Sequence, residues 1–209
     1  MKINFKTISI IVFFGAIWGI VEASVGYVLH FLPTFIAGTI LFPFVSVILY
    51  KTYQKTNSSY AVLGVGVIAA FIKAVNFLLP VTNMFKIINP MISILLEALV
   101  VMVVIRSFVK SNWVIKTAVI AIASVTWRVL FLGYMGIQAL TTGFVATQIG
   151  SLDAILSFSV VSGLFAAVLS VALLLISDLP VKFMKPMKSI SPILSFGSLI
   201  AAVILTILL

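Results

Sequence analysis

Long apolar segments separated by short polar connections dominate this sequence. A membrane-spanning helix needs about 20 apolar residues, with a range of roughly 17–25. The backbone of a spanning segment must be hydrogen-bonded internally, and these runs do not alternate as barrel strands do, so helices are predicted. The seven predicted spans are residues 8–29, 34–50, 60–79, 87–105, 114–135, 155–176 and 192–209.

Composition supports a membrane protein. Of the 209 residues, 63% are hydrophobic and 8% are charged, whereas a soluble domain has about 45–50% apolar and about 25% charged residues. This composition excludes a soluble globular domain, and disorder requires the opposite bias. Because the connections are short, we predict one domain over residues 1–209: an all-α, polytopic integral membrane bundle of six to seven transmembrane helices.

Cysteine and histidine usage limits the chemistry. The chain has no cysteine, which excludes a disulfide framework, a zinc ribbon and a thiol nucleophile. A single histidine, His30, cannot form a histidine-based metal site by itself. We expect no cofactor and no metal.

Basic residues predict the orientation of the bundle. The net charge of +9 sits in clusters between apolar runs and not in one stripe with interleaved aromatics, which argues against nucleic acid as a partner. On one predicted side lie Lys2, Lys6, Lys51, Lys55, Arg106, Lys110, Lys116, Lys182, Lys185 and Lys188; on the other lies Lys86. The positive-inside rule then predicts a multi-pass protein of a prokaryotic cytoplasmic membrane with a cytoplasmic N-terminus.

Two segments qualify this topology. The second span is short and contains Gly38 and Pro43, which favours an interrupted helix. It is nevertheless expected to cross, because a re-entrant segment would abolish the charge asymmetry. The run after Lys2 and Lys6 superficially resembles a signal peptide, but it is long and carries Glu22, so we predict the first span there.

Four ionisable residues lie inside predicted spans: Glu22, Lys73, Glu97 and Arg128. Each costs at least roughly 2.5–3.5 kcal/mol at a helix centre, which makes each a functional hypothesis. With a rise of about 1.5 Å per residue, Glu22, Lys73 and Arg128 fall in the outer half of the bilayer and Glu97 falls near its middle. Their convergence predicts a pocket that opens outward.

Polar and aromatic neighbours extend this prediction. Helical spacing places Asn76 on the face of Lys73, and Asn89 and Ser93 in one stripe with Glu97. Aromatic rings near these charges could stack on a planar ligand. The predicted substrate-binding residues are Glu22, Lys73, Asn76, Asn89, Ser93, Glu97, Arg128, Trp18, Trp127 and Tyr134.

Structural roles compete with binding for the same residues. The four charges could be ion pairs that fasten the bundle, and such pairs could also exchange partners for a ligand. Trp18, Trp127 and Tyr134 could be packing or interface residues.

Small side chains recur every four residues along the first span, at Gly15, Gly19 and Ala23. Such spacing allows close helix approach. The approaching helix could belong to the same subunit or to a docked partner membrane protein.

Two stretches carry a family resemblance. Trp18-Gly19-Ile20-Val21-Glu22 and the run from Asn89 to Leu99 resemble substrate-binding S-components of energy-coupling factor (ECF) transporters. The likeness covers about half the chain, mainly the first four spans. It implies a subunit that captures a vitamin, cofactor precursor or metal ion outside the cell.

The resemblance also implies partners. Such subunits associate with a transmembrane coupling subunit and two cytoplasmic ATPases, and topple in the membrane to release substrate. Their docking pattern is Ala-x-x-x-Ala on the first helix, and the stripe of Gly15, Gly19 and Ala23 keeps this spacing with different residues. The family core has six helices, so residues 192–209 would be an additional seventh.

Other function classes remain open. A stand-alone ion-coupled carrier could use Glu22 and Glu97 as titrating groups, and a purely structural subunit could use the charges for assembly. An enzyme is not expected, because the sequence lacks H-E-x-x-H and G-x-S-x-G motifs and an aspartate pair within the spans. The chain also lacks a P-loop, so we expect no ATP hydrolysis.

Overall fold

The computed structural model describes residues 4–29, 34–80, 83–178 and 190–209, and in residues 34–37 the backbone only. Within these ranges the chain is helical and has no strand, which confirms the predicted all-α bundle. His30, Lys2, Lys182, Lys185 and Lys188 lie outside the described residues. The helices are α1 Phe5–Leu29, α2 Thr34–Thr56, α3 Ser59–Ala74 with a 3-10 extension Val75–Leu78, α4 Phe85–Lys110, α5 Trp113–Thr142, α6 Leu152–Ser177 and α7 Pro192–Leu208.

The helices extend beyond the apolar runs that predicted them. α2 is continuous over 23 residues and passes through a buried Pro43, so the predicted interruption was wrong. α5 continues to Thr142, where Gly143 adopts a φ of 74°. Glycine reaches this left-handed conformation without steric cost, and it commonly ends helices there. Polar residues that ended the hydropathy signal are therefore helical.

Side-chain caps set several helix starts. Ser58, Asn112, Ser151 and Ser191 each accept a hydrogen bond from a backbone N–H in the first turn of α3, α5, α6 and α7. Such caps satisfy amide groups that have no partner within the helix. Each cap defines where a short connection ends and the next helix begins.

Five of the described helices are long and apolar enough to cross a membrane: α1, α3 with its extension, α4, α5 and α6. α7 is a shorter apolar helix. Large apolar side chains point outward from the bundle, with Leu140 89% and Ile193 85% exposed. Apolar exteriors of this extent mark surfaces that water does not cover. The chain is thus a multi-pass membrane-type bundle.

The two ends of the bundle differ in charge. α1 and α7 run in one direction, since Ser195 Oγ at the start of α7 donates to the Ser9 carbonyl near the start of α1 at 2.8 Å. α3 runs in the same direction, because Gly15 and Gly19 of α1 lie against Ile68 and Ile72 of α3 in the same order. The end that contains these starts is called the basic end. Its described basic residues are Lys6, Lys51, Lys55, Arg106, Lys110 and Lys116, and Lys86 lies at the opposite end.

Glycines allow the closest helix contacts. A Cβ on Gly15 would lie 2.6 Å from Ile68 Cβ, and one on Gly19 would lie 2.8 Å from Ile72 Cδ1. Gly66 of α3 meets Ala98 of α4 in the same manner. Small residues at such positions let backbones approach and gain dispersion contacts.

These contacts correct the predicted docking stripe. Gly15, Gly19 and Ala23 are buried inside the chain, and α3 covers the two glycines. The adjacent face of α1 is covered by α7, where Ala16 and Ala202 are both fully buried. A partner helix therefore has no access to this stripe, which serves internal packing.

Candidate ligand-binding cavity

A cavity of about 560 Å³ lies in the half of the bundle opposite the basic end. Its size falls within the roughly 300–1,000 Å³ typical of small-molecule sites. It reaches the surface, since Lys86 and Phe144 are both lining and exposed. The described residues that line it are Glu22, Gly26, Leu29, Gly38, Leu41, Asn83, Phe85, Lys86, Asn89, Pro90, Ser93, Glu97, Trp127, Phe131, Met135, Phe144, Ala146, Thr147, Gln148 and Phe158.

Two carboxylates line this cavity. Glu22 comes from α1 and Glu97 from α4, and Glu22 acts electrostatically on Glu97. Glu97 is 5% exposed, and its Oε1 accepts a hydrogen bond from Ser93 Oγ at 3.0 Å. Glu22 is half-buried and accepts no hydrogen bond from any described residue. Acceptor capacity at the site is therefore largely unfilled.

Two basic residues lie near the carboxylates but do not line the cavity. Lys73 acts electrostatically on Glu22, and Arg128 acts on Glu97. Neither cation is among the lining residues. Among the described residues no ion pair within 4.0 Å joins any of the four charges. The four charges thus lie at one end of the bundle, and direct contacts between them do not fasten it.

Arg128 is held by its own helix and by α2. It is fully buried, and its Nη1 donates to the Ser124 carbonyl at 2.7 Å and to Ser124 Oγ at 2.8 Å. Its Nη2 donates to the Gly38 carbonyl at 3.0 Å. The guanidinium carbon also lies 4.4 Å from the centroid of the Trp127 indole. Arg128 therefore connects the cavity's α2 and α5 walls while remaining outside the cavity.

Aromatic rings form one wall. Trp127 and Phe131 are spaced by one turn of α5, and Phe158 comes from α6; all three line the cavity. Phe158 packs edge-on against Trp127, with 6.2 Å between ring centroids, and lies 6.1 Å from Phe131. Phe158 belongs to a π-helical stretch, Ser157–Val161. Such π-helical turns often occur at functional sites.

The opening carries its own aromatic pair and polar groups. Phe85 of α4 and Phe144 of the α5–α6 connection are stacked, with centroids 6.2 Å apart and planes at 13°. Asn83, Lys86 and Gln148 also contribute to the lining there. The α5–α6 connection thus covers part of the entrance.

Half of the predicted binding residues line the cavity. These are Glu22, Asn89, Ser93, Glu97 and Trp127. The stripe predicted on α4 is therefore intact and faces the cavity as a unit.

Other predicted residues lie outside the lining. Tyr134 Oη donates to Asn89 Oδ1 at 3.0 Å and so orients a lining side chain. Trp18 is 1% exposed and packs against α3 beside Gly66, so its predicted ligand contact is corrected to a core position. Lys73 and Asn76 also do not line the cavity, and Asn76 Oδ1 is buried without a described hydrogen-bond partner.

Several lining residues were not predicted. Phe131 and Met135 follow Trp127 at four-residue spacing, so extending that stripe along α5 could have found them. Phe158 and the residues of the α5–α6 connection have no such signal, because only the tertiary structure brings them to α4. Among the described residues, no group of three or more His, Cys, Asp or Glu side chains could hold a metal ion.

Together, the apolar exterior and the cavity that holds two carboxylates define a class: an all-α, multi-pass membrane protein with a cavity that opens at one end. Comparisons with known proteins do not narrow this class. No family model, curated protein or solved structure matches the chain.

Proposed function

We propose that this protein is a membrane-embedded substrate-binding subunit that captures a small polar molecule for uptake through an ECF-type transporter. The observation that carries the proposal is the 560 Å³ cavity, which reaches one end of the bundle and holds Glu22 and Glu97. With the basic end on the cytoplasmic side, the cavity faces outward. A vitamin or related cofactor precursor suits its size and mixed polarity.

Uptake by this chain requires partners. The sequence has no P-loop for ATP hydrolysis, so the proposal includes a transmembrane coupling subunit and two cytoplasmic ATPase subunits. The resemblance at Trp18–Glu22 and at Asn89–Leu99 supports this assembly. Because α3 and α7 cover the small-residue face of α1, we assign no docking residues.

A stand-alone ion-coupled carrier is the second candidate. It is favoured by one observation: Glu22 and Glu97 share the cavity, and no described cation lies within 4.0 Å of either carboxylate. Carboxylates in such a position could exchange protons or sodium ions with a substrate. Transport would then persist without an ATPase.

Native mass spectrometry of the purified full-length protein tests the capture of a ligand. We expect a small molecule that stays bound to the wild type and is lost from Glu97→Gln. The matched control is Asp153→Asn, an exposed carboxylate that does not line the cavity, and it should retain the molecule. Retention by Glu97→Gln at the wild-type level, or no bound molecule in the wild type, would contradict the proposal.

Reconstitution separates the two candidates. The compound found by mass spectrometry is added to proteoliposomes that contain this protein alone. A subunit that needs ATPase partners should bind the compound without accumulating it. Accumulation that follows a proton or sodium gradient and disappears with an ionophore would favour the ion-coupled carrier.

A further inference from the structure

We propose that the ligand of this cavity is an organic cation that carries an aromatic ring. This inference rests on the proposed function of ligand capture and adds its chemical class. It is carried by the position of the two carboxylates relative to the cations and to the aromatic wall.

The charges that a ligand can touch are predominantly acidic. Glu22 and Glu97 line the interior, whereas Lys73 and Arg128 do not. Arg128 directs both Nη atoms to protein oxygens on Ser124 and Gly38. Among the described lining residues, the one basic side chain is Lys86, which is exposed at the entrance. A cationic ligand inside the cavity can therefore contact the two carboxylates, while the basic side chain of Lys86 lies at the entrance.

Hydrogen-bond capacity points to the same ligand. A carboxylate offers about four lone-pair sites, yet Glu97 accepts one described hydrogen bond, from Ser93, and Glu22 accepts none. Glu97 is 5% exposed and lines the cavity. A buried carboxylate with most of its acceptor sites unfilled is costly. Donors on a positively charged ligand would satisfy both carboxylates.

Aromatic surface accounts for the second part of the ligand. Trp127, Phe131 and Phe158 meet on one side of the cavity with centroid separations of 6.1–6.3 Å. Their apolar rings can bury a flat ring, and edge-to-face or offset geometries with it are favourable. A saturated polar ligand would leave this wall without a matching surface.

The test uses three probes of similar shape and different charge: 1-methylnicotinamide, a cation; nicotinamide, which is neutral; and nicotinate, an anion. Full-length protein is placed in phosphatidylcholine nanodiscs, and dissociation constants are measured by ligand-observed NMR. Coulomb attraction between the positively charged ring and the carboxylates should favour the cation by about tenfold or more over the neutral probe. Nicotinate should bind most weakly.

Isosteric variants test whether Glu22 and Glu97 cause the preference for the cationic probe. Glu22→Gln and Glu97→Gln should each reduce the cation preference to about threefold or less, because one carboxylate remains. Asp153→Asn should keep the wild-type preference. If one glutamine variant does not fold, the other carries the comparison.

Three results would overturn the inference. These are equal or tighter binding of nicotinate, a cation preference that survives both glutamine substitutions, and no binding of any probe up to about 10 mM. A preference for nicotinate that is lost in the cavity variants would overturn the cation class alone and leave ligand capture intact. Ligand capture itself fails in the mass-spectrometry experiment above, which does not depend on these probes.

Discussion

The two ends of the bundle use charged residues in opposite ways. At the basic end, Lys51 Nζ donates to Asp178 Oδ1 at 2.8 Å and to the Ser177 carbonyl at 3.1 Å, and Tyr50 Oη donates to Asp178 Oδ2 at 3.1 Å. At the other end, Glu22 and Glu97 have no ion pair within 4.0 Å among the described residues.

The two halves of the bundle also differ in the size of their cavities. The cavity lined by Tyr50 in the basic half measures about 30 Å³, whereas the one lined by Glu22 and Glu97 measures about 560 Å³. At the basic end, the ion pair between Lys51 and Asp178 joins α2 to the residue that follows α6. Charges held apart, with their cations outside the lining, leave space that a ligand can fill. The space that a ligand could fill therefore lies in the half of the bundle opposite the basic end.

The largest effect should come from Arg128→Ala. The substitution removes the hydrogen bonds to Ser124 and Gly38 and leaves Glu97 without its nearby cation. Leaving a buried charge without its compensating charge costs about 3–5 kcal/mol of folding free energy. We therefore expect a large drop in thermal stability and loss of ligand binding. Unfolding monitored in detergent measures the first effect.

A double variant sharpens this prediction. Adding Glu97→Gln to Arg128→Ala removes both charges, so the pair should be less destabilised than the sum of the two single variants. Strict additivity would show that Arg128 does not offset Glu97, and that its role is limited to the contacts with α2 and α5.

Gly19→Leu should have the next largest effect. Its side chain would overlap Ile72 in the α1–α3 contact, and overpacking typically costs about 1–3 kcal/mol. Gly133→Leu is the matched control, since a Cβ there meets nothing within 4 Å. A melting temperature that falls for Gly19→Leu but not for Gly133→Leu is expected. Equal stability of both would reopen the docking interpretation of this stripe.

A smaller effect is expected for Tyr134→Phe. It removes the hydrogen bond that orients Asn89 at the cavity wall. A neutral hydrogen bond contributes about 0.5–1.5 kcal/mol, which corresponds to a few-fold to about tenfold weaker binding. Isothermal titration with the ligand found by mass spectrometry measures this change. Unaltered affinity would place Asn89 outside the contact set of that ligand.

The smallest effect should follow Lys51→Ala at the basic end. The Lys51 and Asp178 side chains are 29% and 35% exposed, and solvent-screened ion pairs contribute about 0–1 kcal/mol. We expect a small loss of thermal stability and no change in ligand affinity. A large loss of affinity would contradict the location of the proposed binding site in the opposite half of the bundle.

The sequence already carries most of the helical fold. Apolar runs predicted all seven helices of the described residues, because lipid permits few alternatives to a hydrogen-bonded helix. The polar stripe of Asn89, Ser93 and Glu97 was also predictable, since residues four apart share one helix face. Helix ends were less accurate, because caps and polar residues extend α2 and α5 beyond the apolar signal.

The tertiary structure alone, however, decides which helix packs against a given helix face. Trp18 and Trp127 look alike as aromatic residues beside a charge, yet α3 buries Trp18 in the core while Trp127 lines the cavity. Likewise, a glycine at position 19 permits close approach of a helix from a partner protein or from the same chain, and only the structure shows that the neighbour is Ile72 of α3. Helical periodicity determines which residues share a face; which element covers that face depends on packing between segments far apart in the chain, which local sequence does not encode.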